Sequence, residues 1–282
     1  MSSLGNRFWV DDRLVFPAQA QVSVLDHNLT IGNNMFKTLP MRDGVPFALT
    51  RHLARLERSL AGLGFPGPPG ERVREAVDAV VQDAGDSAAF ARLRITVTSG
   101  IGPLGSDRGS VDPTLVVTCV PAKAWPATST LATVPWVRNE RSAVAGLKTT
   151  SYAENAVALA EAHRRGASEA VVADTQGRLC EGTGSNVFVV VDGEVLTPHL
   201  RCGALAGITR ELVLEWAPAV APVREADLPY EILFSADEVF ITSSTRDVHP
   251  VDRVDDREVA VGPVTLDVAS EFARRAGLDV DP

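Results

Sequence analysis

Lysine is rare in this chain, and one of its lysines precedes a compact carboxylate motif. The lysines are Lys37, Lys123 and Lys148, and the other 24 of the 27 basic side chains are arginines. The motif Glu181-Gly-Thr-Gly-Ser-Asn186 begins 33 positions after Lys148. A primary amine can form a Schiff base with an aldehyde cofactor, and a carboxylate can keep a pyridine nitrogen protonated. The two together predict the chemistry of pyridoxal phosphate (PLP).

The surroundings of Lys148 and Glu181 leave a second interpretation open for each. Lys148 stands just before a predicted helix, where partial desolvation lowers the pKa of an amine from its free value of about 10.4. A solvated surface lysine is the alternative. Glu181 ends a short predicted strand before a glycine turn, where a carboxylate can form a charge-assisted bond with a pyridinium N–H. A carboxylate that caps the turn is the alternative there.

Donors for a phosphate group follow later in the chain. The segment 205–210 (Leu-Ala-Gly-Ile-Thr-Arg) opens a predicted helix, so the amides of Ile208 and Thr209 and the Thr209 hydroxyl can face an anion at the helix N-terminus. The pair Ser244-Thr245 follows a predicted strand and supplies further hydroxyl and amide donors. Arg55, on the polar side of an early predicted helix, supplies a formal positive charge. Each feature alone is ordinary, and their joint occurrence favours a phosphate-bearing cofactor.

The composition indicates a folded protein that binds a small molecule. Hydrophobic residues make up 45% of the chain, and a formal net charge of -9 disfavours nucleic acid and anionic membrane as partners. Cys119, Cys180 and Cys202 fit neither a disulfide framework nor a metal-ligand spacing, so buried thiols and no metal are expected. The chain shows no signal-peptide pattern and no apolar run of roughly 18 residues. We therefore expect a soluble, cytoplasmic protein.

Periodicity predicts an α+β first half. Strands 8–10 and 13–16 form a hairpin, and later strands cover 92–98 and 114–120. Helices are predicted over 49–62, with Thr50 as a cap, and over 73–84.

A connector with two prolines, at 121–128, divides the predicted domains 1–120 and 129–282. The second domain is predicted to contain strands and helices in alternation. The strands are expected near 131–137, 170–173, 178–181, 186–191 and 238–242, and the helices near 152–165, from 207 and over 264–276.

The motifs, taken in order, resemble those of the class IV aminotransferases. They are Arg-Leu at 55–56 in an early helix, the lysine at 148, Glu-Gly-x-x-Ser-Asn-Val-Phe from 181, Gly-Ile-Thr-Arg from 207, and Thr-Ser-Ser-Thr-Arg-Asp-Val-x-Pro-Val from 242. This group, PLP fold type IV, comprises branched-chain aminotransferases, D-amino acid aminotransferases, (R)-selective amine transaminases and aminodeoxychorismate lyase. The resemblance spans nearly the whole chain, from about Phe8 to Arg275.

The resemblance implies an α/β protein of two domains, with a smaller N-terminal α+β domain and a larger C-terminal mixed β/α domain. It also implies a homodimer with PLP between the domains. Lys148 would be the Schiff-base lysine and Glu181 the partner of the pyridine nitrogen. Leu205 would pack against the cofactor ring. The other cofactor-binding positions that it implies, chiefly around the phosphate, are Arg55, Gly207, Ile208, Thr209, Ser244 and Thr245.

The chain departs from the family pattern on the expected substrate side. Where many relatives have Tyr-Gly-x-x-x-Phe-Glu, this chain has Ile31, Phe36 and Lys37 at the first and last two positions. Pro40 occupies the position of an arginine that binds the substrate carboxylate in branched-chain enzymes. Ile31, Phe36 and Lys37 are therefore predicted substrate-binding residues. Lys37 is either a replacement cationic anchor at the pocket mouth or a solvated strand residue.

The stretch 100–105 matches the dinucleotide pattern Gly-x-Gly-x-x-Gly, but Pro103 and the lack of a following helix argue against a nucleotide. It resembles instead the loop that closes over the substrate in this family. Arg108, at its tip, is a candidate for bidentate binding of an α-carboxylate, with an exposed loop arginine as the alternative. The pair Asp26-His27 lacks a nucleophile motif, so a structural histidine is the favoured interpretation.

These features predict a PLP-dependent transaminase with a small amino donor and a 2-keto acid as substrates. The presence of Arg108 in the loop, and of Pro40 where branched-chain enzymes have an arginine, favours D-amino acids as donors. (R)-primary amines are a further donor class. The alternatives are a branched-chain L-amino acid aminotransferase and aminodeoxychorismate lyase. A PLP-binding protein without catalysis is the alternative outside the enzymes.

Overall fold

The computed structural model describes residues 7–109 and 112–282, which form two compact units. The first unit comprises Met1–Lys123, Leu147–Ser151 and Val280–Pro282, and the second comprises Ala124–Gly146 and Tyr152–Asp279. Within the described part of the chain, none of the helices has the length and apolar character needed to span a bilayer.

The first unit is built on a six-stranded antiparallel sheet. Along β5 every second residue is buried, which is the alternation expected of a strand with one face on a core. The strand order is β2-β1-β6-β5-β3-β4. The strands are β1 (Phe8–Val10), β2 (Arg13–Val15), β3 (Met35–Arg42), β4 (Val45–Pro46), β5 (Ala91–Val97) and β6 (Leu115–Pro121).

Two long helices, α2 (Leu49–Leu63) and α3 (Gly70–Ala84), form the core of the first unit with this sheet; the short α1 (His27–Thr30) precedes β3. Each long helix buries side chains three and four positions apart, which makes one apolar stripe. In α2 the stripe is Leu53, Leu56 and Leu60, and in α3 it includes Val73, Val77 and Val80. The predicted helices are therefore present, although α3 begins three residues earlier than expected.

The predicted cap of α2 is wrong. Ala48, not Thr50, occupies the N-cap position, and its side chain cannot accept a hydrogen bond. The acceptor is Asp281, near the C-terminus, whose carboxylate receives the Thr50 amide (2.8 Å) and the Thr50 hydroxyl (2.6 Å). The orphan amides of a helix can be satisfied by any nearby acceptor, and a partner 231 positions away leaves no local signature.

The second unit contains a nine-stranded mixed sheet in the order β12-β11-β10-β13-β14-β7-β8-β9, with β15 paired to β14. Its β11/β12, β14/β7 and β7/β8 pairs are parallel. The strands are β7 (Ser129–Arg138), β8 (Glu169–Asp174), β9 (Leu179–Gly182), β10 (Asn186–Val191), β11 (Glu194–Pro198), β12 (Val223–Ala226), β13 (Glu238–Ser243), β14 (Asp247–Val254) and β15 (Arg257–Glu258).

A bridge between Glu181 of β9 and Asn186 of β10 joins the end of this path back to its middle, so six strands form a closed ring. The helices of the unit are α4 (Ala153–Arg164), α5 (Ile208–Trp216) and α6 (Pro263–Ala276). The closure fixes where Glu181 stands, because a residue in a ring has paired neighbours on both sides.

The organisation of the units and strands differs from the expected one in several places. The segment Leu147–Ser151, which contains Lys148, belongs to the first unit although it lies inside the expected second domain. Strands β11, β12, β14 and β15 of the second unit were not predicted. In β14, Pro250 and the turn before it obscure the strand pattern; in the structure Pro250 stands opposite Phe240.

Candidate active site

The segment that carries Lys148 is fixed to the start of β3 by backbone hydrogen bonds. The Phe36 amide donates to the Lys148 carbonyl (3.2 Å), and the Thr150 amide donates to the Asn34 carbonyl (2.9 Å). Thr149 bridges to Met35 in the same antiparallel arrangement. Lys148 thus extends the edge of the first unit's sheet rather than lying on a free loop.

The Lys148 amine lies against an aromatic ring. Its Nζ is 4.4 Å from the centroid of the Phe36 ring, and the Arg94 guanidinium lies 4.0 Å from the same centroid. Phe36 itself is buried, whereas Ile31, the other apolar candidate, is 38% exposed after α1. The aromatic ring thus shields one side of the amine from water.

Lys37 is fully buried, so its interpretation as a solvated strand residue is wrong. Its Nζ donates to the Ser59 hydroxyl of α2 (3.1 Å). Burial lowers the pKa of Lys37 well below 10.5, and the charges of Arg55, Lys148 and Arg58 lower it further. The strand alternation places Lys37 on the helix-facing side of β3, which the sequence pattern of apolar residues did not reveal.

Arg55 is also buried, although the sequence had placed it on the polar side of α2. Its exposed fraction is 5%, and its guanidinium donates to Nδ1 of His52 (3.4 Å). Burial lowers the pKa of His52 well below 6.5, and Arg55 and Lys37 add to the effect. Two of the predicted site residues, Lys37 and Arg55, therefore belong to one cationic cluster that is electrostatically coupled to Lys148.

Arg108 binds the end of α2. Its Nη1 donates to the Leu63 carbonyl (2.5 Å) and the Gly64 carbonyl (3.3 Å), and its guanidinium lies 5.6 Å from the centroid of the Phe65 ring. The terminal carbonyls of a helix are a favourable position for a cation. The side chain thus has a structural partner, which weakens the argument that it binds a substrate carboxylate.

Two glycines of the 100–105 stretch, Gly100 and Gly102, lie in close contact with neighbouring groups. A Cβ on Gly100, which has φ +80°, would lie 2.0 Å from the Asp112 carbonyl oxygen, and one on Gly102 would lie 2.3 Å from the His27 ring. His27 in turn donates from Nε2 to the Pro103 carbonyl (3.0 Å). Asp26 caps α1 and accepts the Thr98 hydroxyl (2.7 Å). The pair Asp26-His27 thus has structural contacts in this unit.

In the second unit, the Glu181 carboxylate is buried and held from two sides. The Leu205 amide donates to Oε2 (2.8 Å), and the Arg138 guanidinium pairs with Oε1 (3.2 Å). Arg138 also donates to Oδ1 of Asn155 (3.3 Å), whose amide donates to the Thr183 carbonyl (2.6 Å). The sequence reasoning missed Arg138 and Asn155, since neither belongs to the motif that contains Glu181.

Asn186 ties the start of α5 to Glu181. It pairs with Glu181 across the strands, and its side-chain amide donates to the Leu205 carbonyl (2.8 Å). A Cβ on Gly207 would lie 2.0 Å from Asn186 Oδ1, so a larger residue there would displace the Asn186 side chain. Ile208 and Thr209 then begin α5, and among the described residues no side chain caps its N-terminus. Asn186 belongs to the quoted motif, but its type and position alone predicted no role for it.

The Ser244-Thr245 turn lies beyond the neighbouring strand. It follows β13, whose Thr242 is paired with Asn186. The Thr242 hydroxyl is buried and has no hydrogen-bond partner in the part of the chain that the structure describes. The structure therefore brings the predicted residues of the second unit onto consecutive strands and one helix start.

Comparison with known proteins identifies this arrangement. A family model described as amino-transferase class IV matches residues 34–254. The chain belongs to the class IV aminotransferase family. A Methanocaldococcus jannaschii protein provisionally named branched-chain-amino-acid aminotransferase is 30% identical to this chain over 276 residues. The match covers 94% of this chain and 95% of the length of that protein.

Solved structures of class IV aminotransferases have the same fold. The branched-chain aminotransferase of Thermoproteus uzoniensis, solved with norvaline, matches with a TM-score of 0.90 at 29% identity over 95% of this chain and 94% of that one. The branched-chain amino acid aminotransferase of T.th., complexed with N-(5'-phosphopyridoxyl)-L-glutamate, matches with a TM-score of 0.88 at 27% identity, covering 96% and 93%. The fold is PLP fold type IV, and the chain is a PLP-dependent aminotransferase.

The residues of the second unit fit the cofactor that this family uses. The amides at the N-terminus of α5 and the buried Thr242 hydroxyl, which lacks a partner among the described residues, are donors that suit a phosphate group. Glu181 is an acceptor held in place by Leu205 and Arg138. In the first unit, Lys148 supplies a primary amine on a fixed backbone. The donors, acceptor and amine that PLP requires are all present in the chain.

Proposed function

We propose that Lys148 and Glu181 are the residues through which this class IV aminotransferase uses PLP, and that its donors are branched-chain L-amino acids. The observation that carries the residue assignment is the Glu181 carboxylate, buried and fixed by the Leu205 amide and the Arg138 guanidinium. A buried carboxylate held in one orientation is what a protonated ring nitrogen needs as a partner.

Lys148 serves as covalent anchor and proton carrier in this proposal. Its amine would hold PLP covalently, and as a free amine it would accept the proton that leaves the substrate Cα. The like charges of Lys37 and Arg55, to which Lys148 is electrostatically coupled, disfavour its protonated form and so favour the neutral amine that both tasks require.

Glu181 keeps the pyridine nitrogen protonated. When bound, PLP supplies an electron-accepting ring for the pair of electrons left at the substrate Cα. Arg138 orients the Glu181 carboxylate, and the Leu205 amide occupies its second oxygen. Leu205 is thereby placed beside the carboxylate, which supports the expectation that its side chain packs on the ring.

The phosphate group would be bound by donors that carry little charge of their own. Ile208 and Thr209 contribute the amides of the α5 N-terminus, with Gly207 in contact with Asn186 just before them. Ser244 and Thr245 contribute hydroxyl and amide donors from the turn after β13. Arg55 is our candidate for the formal positive charge.

For the substrate class, the comparisons favour branched-chain L-amino acids over the D-amino acids expected from the sequence. The D-amino acid expectation relied on Arg108, which instead binds the carbonyls at the end of α2. Relatives that match 94% to 95% of the chain are named branched-chain aminotransferases, and one was solved with norvaline. Pro40 occupies the position at which branched-chain enzymes have an arginine that binds the substrate carboxylate. Because proline carries no charge, we expect weaker binding of the α-carboxylate than in those enzymes.

A donor panel with purified, PLP-loaded protein tests this proposal. L-leucine, L-valine, D-alanine, D-glutamate, (R)-1-phenylethylamine and aminodeoxychorismate are each supplied with 2-oxoglutarate, and the keto product is quantified to give kcat/KM. We expect the highest efficiency with L-leucine or L-valine. A higher efficiency with the D-amino acids or the amine would reject the proposed donors, and elimination from aminodeoxychorismate would indicate the lyase.

We also propose that the protein is a cytoplasmic homodimer. The dimer is supported by the family resemblance, and the cytoplasm by three cysteines, Cys119, Cys180 and Cys202, that are all free and buried. Light scattering of the purified protein tests the dimer. A mass near the 30.0 kDa of one chain would reject it.

A further inference from the structure

A buried carboxylate at the start of β8, Glu169, contacts the turn that follows Glu181. Only 2% of Glu169 is exposed. Its Oε1 accepts the Thr183 amide (3.1 Å) and the Thr183 hydroxyl, and its Oε2 is 3.3 Å from the Ser185 hydroxyl. The turn itself is closed by the Gly182 amide and the Ser185 carbonyl (2.8 Å). Glu169 thus determines the conformation of the residues directly after Glu181.

The same carboxylate pairs with an arginine from a different turn. Arg246 donates from Nη1 to Glu169 Oε2 (2.8 Å), and its side chain is 8% exposed. The guanidinium also lies 4.0 Å from the centroid of the Trp125 ring. Arg246 directly follows Ser244 and Thr245, and its amide donates to the Ser243 carbonyl (3.2 Å). One buried ion pair therefore joins the Glu181 turn to the Ser244-Thr245 turn.

A buried ion pair is costly to place, because both charges lose their hydration. Such a pair adds little to folding stability, since replacing it by apolar residues of similar size is often neutral or stabilising. It is a good device for geometry, because an arginine fork and a carboxylate fix each other's direction. The pair of Glu169 and Arg246 joins the two turns that are expected to contact opposite ends of one cofactor.

We propose that Glu169 and Arg246 form a positioning pair, which sets the distance between the ring-nitrogen partner and the phosphate donors of the second unit. This inference rests on the proposed roles of Glu181, Ser244 and Thr245. Neither member touches the cofactor in this scheme. Each acts through the residues beside it, Glu169 through Thr183 and Ser185, and Arg246 through Thr245.

The test compares PLP with pyridoxal, its analogue without the phosphate group. Kd values of PLP and pyridoxal are measured by fluorescence titration of the full-length protein in a Lys148→Ala background, so that no covalent link masks the non-covalent contacts. The Kd of pyridoxal divided by the Kd of PLP measures what the phosphate donors contribute to binding. With Glu169→Gln, the side chain keeps its shape but loses the charge that holds Arg246. We expect the ratio to fall by about tenfold, the size of one charge-assisted hydrogen bond.

Glu238→Gln is the matched control. Glu238 is a buried carboxylate of the same unit, and it accepts the amides of Val264 (3.2 Å) and Thr265 (2.7 Å) at the start of α6. Both variants are expected to lower the melting temperature of the cofactor-free protein, but only Glu169→Gln should change the ratio. Arg246→Lys, which keeps the charge and loses the fork, should also lower the ratio and serves if Glu169→Gln does not fold.

The outcomes separate this inference from the proposed function. A parent that binds PLP and pyridoxal equally would reject the phosphate donors, and the positioning pair with them. A parent that prefers PLP while Glu169→Gln and Arg246→Lys keep the full preference would overturn the positioning pair alone. An equal fall of the ratio in Glu238→Gln would also overturn it, because the effect would then be one of general stability.

Discussion

The buried charges around the proposed site residues are arranged in opposite ways in the two units. In the first unit, the buried side chains of Lys37 and Arg55 belong to a cluster of cations that also includes Arg58. This cluster interacts electrostatically with Lys148. In the second unit, the buried carboxylates Glu181 and Glu169 are each paired with an arginine. The cluster of the first unit thus brings like charges together, whereas these two carboxylates of the second unit are balanced by opposite charges.

The difference corresponds to two chemical tasks. Like charges in a desolvated place favour loss of a proton, which an amine needs before it can act as a nucleophile or base. Opposite charges in a buried pair hold each other in one orientation, which a fixed hydrogen-bond acceptor needs. We infer that the first unit supplies reactivity and the second supplies alignment. Four substitutions test this contrast.

The largest effect is expected from Lys148→Ala, which removes the amine of the first unit. Transamination should fall by about 10²- to 10⁴-fold, the range for loss of a positioned acid–base group. Borohydride should no longer attach PLP to the protein, as measured by mass spectrometry. Lys123→Ala, at an exposed position of the connector, should leave both unchanged. Attachment mapped to Lys37 or Lys123 would show that Lys148 is not the anchor.

Glu181→Gln tests the alignment attributed to the second unit. The variant preserves shape and removes the charge that pairs with the ring nitrogen, so proton removal from Cα should slow by about tenfold to a hundredfold. The Kd of PLP should change less than the single-turnover rate. Glu161→Gln, on an exposed ion pair of α4, is the control. An unchanged single-turnover rate would remove Glu181 from the mechanism.

Lys37→Met tests the like-charge cluster through stability. Burial, followed by the charges of Arg55, Lys148 and Arg58, lowers the pKa of Lys37 well below 10.5. Between that lowered pKa and about 10.4, the unfolded chain binds a proton that the folded chain does not, so stability rises with pH by up to about 1.4 kcal/mol per unit. Lys37→Met should remove this contribution.

Urea unfolding of the cofactor-free protein between about pH 8 and about pH 10 measures it. The variant should gain stability over the parent most at the lower pH, and the gain should shrink as pH rises. Lys123→Met, with an exposed side chain, should follow the parent. Parallel curves for the parent and Lys37→Met would mean that Lys37 is protonated in the folded chain throughout this range.

The smallest effect is expected from Arg108→Ala. The guanidinium stabilises the C-terminal carbonyls of α2, and a cation there contributes about 0.3 to 1 kcal/mol. The free energy of unfolding should fall by that amount, with Arg108→Lys closer to the parent. Turnover of an amino acid and of (R)-1-phenylethylamine should change equally. A tenfold loss confined to the amino acid would restore Arg108 as a carboxylate anchor.

Local pattern predicted much of the fold. The leucine spacing of α2 and the alternation of β5 are one-dimensional signals, so these elements were found within one or two residues. The motif around Glu181 and the helix start at Gly207 were likewise found, because glycine turns and helix termini leave local signatures. The shared family of the chain followed from those motifs in order.

Long-range partners could not be predicted in this way. The Asp281 carboxylate that binds Thr50, and the Arg246 that pairs with Glu169, lie 231 and 77 positions away from their partners. The burial of Lys37 has the same origin: periodicity tells which residues share a face, but not that the face is covered by α2 or that Ser59 lies opposite.

The sequence by itself thus determined the family, the cofactor chemistry and the residue types available for it, because these depend on which groups occur and in what order. Only the tertiary structure decided which groups meet. The backbone pairing of Lys148 with β3, the arginine beside Glu181 and the closed ring of strands all depend on register between distant segments. Register is set by the packing of whole faces, a property that no local stretch of residues contains.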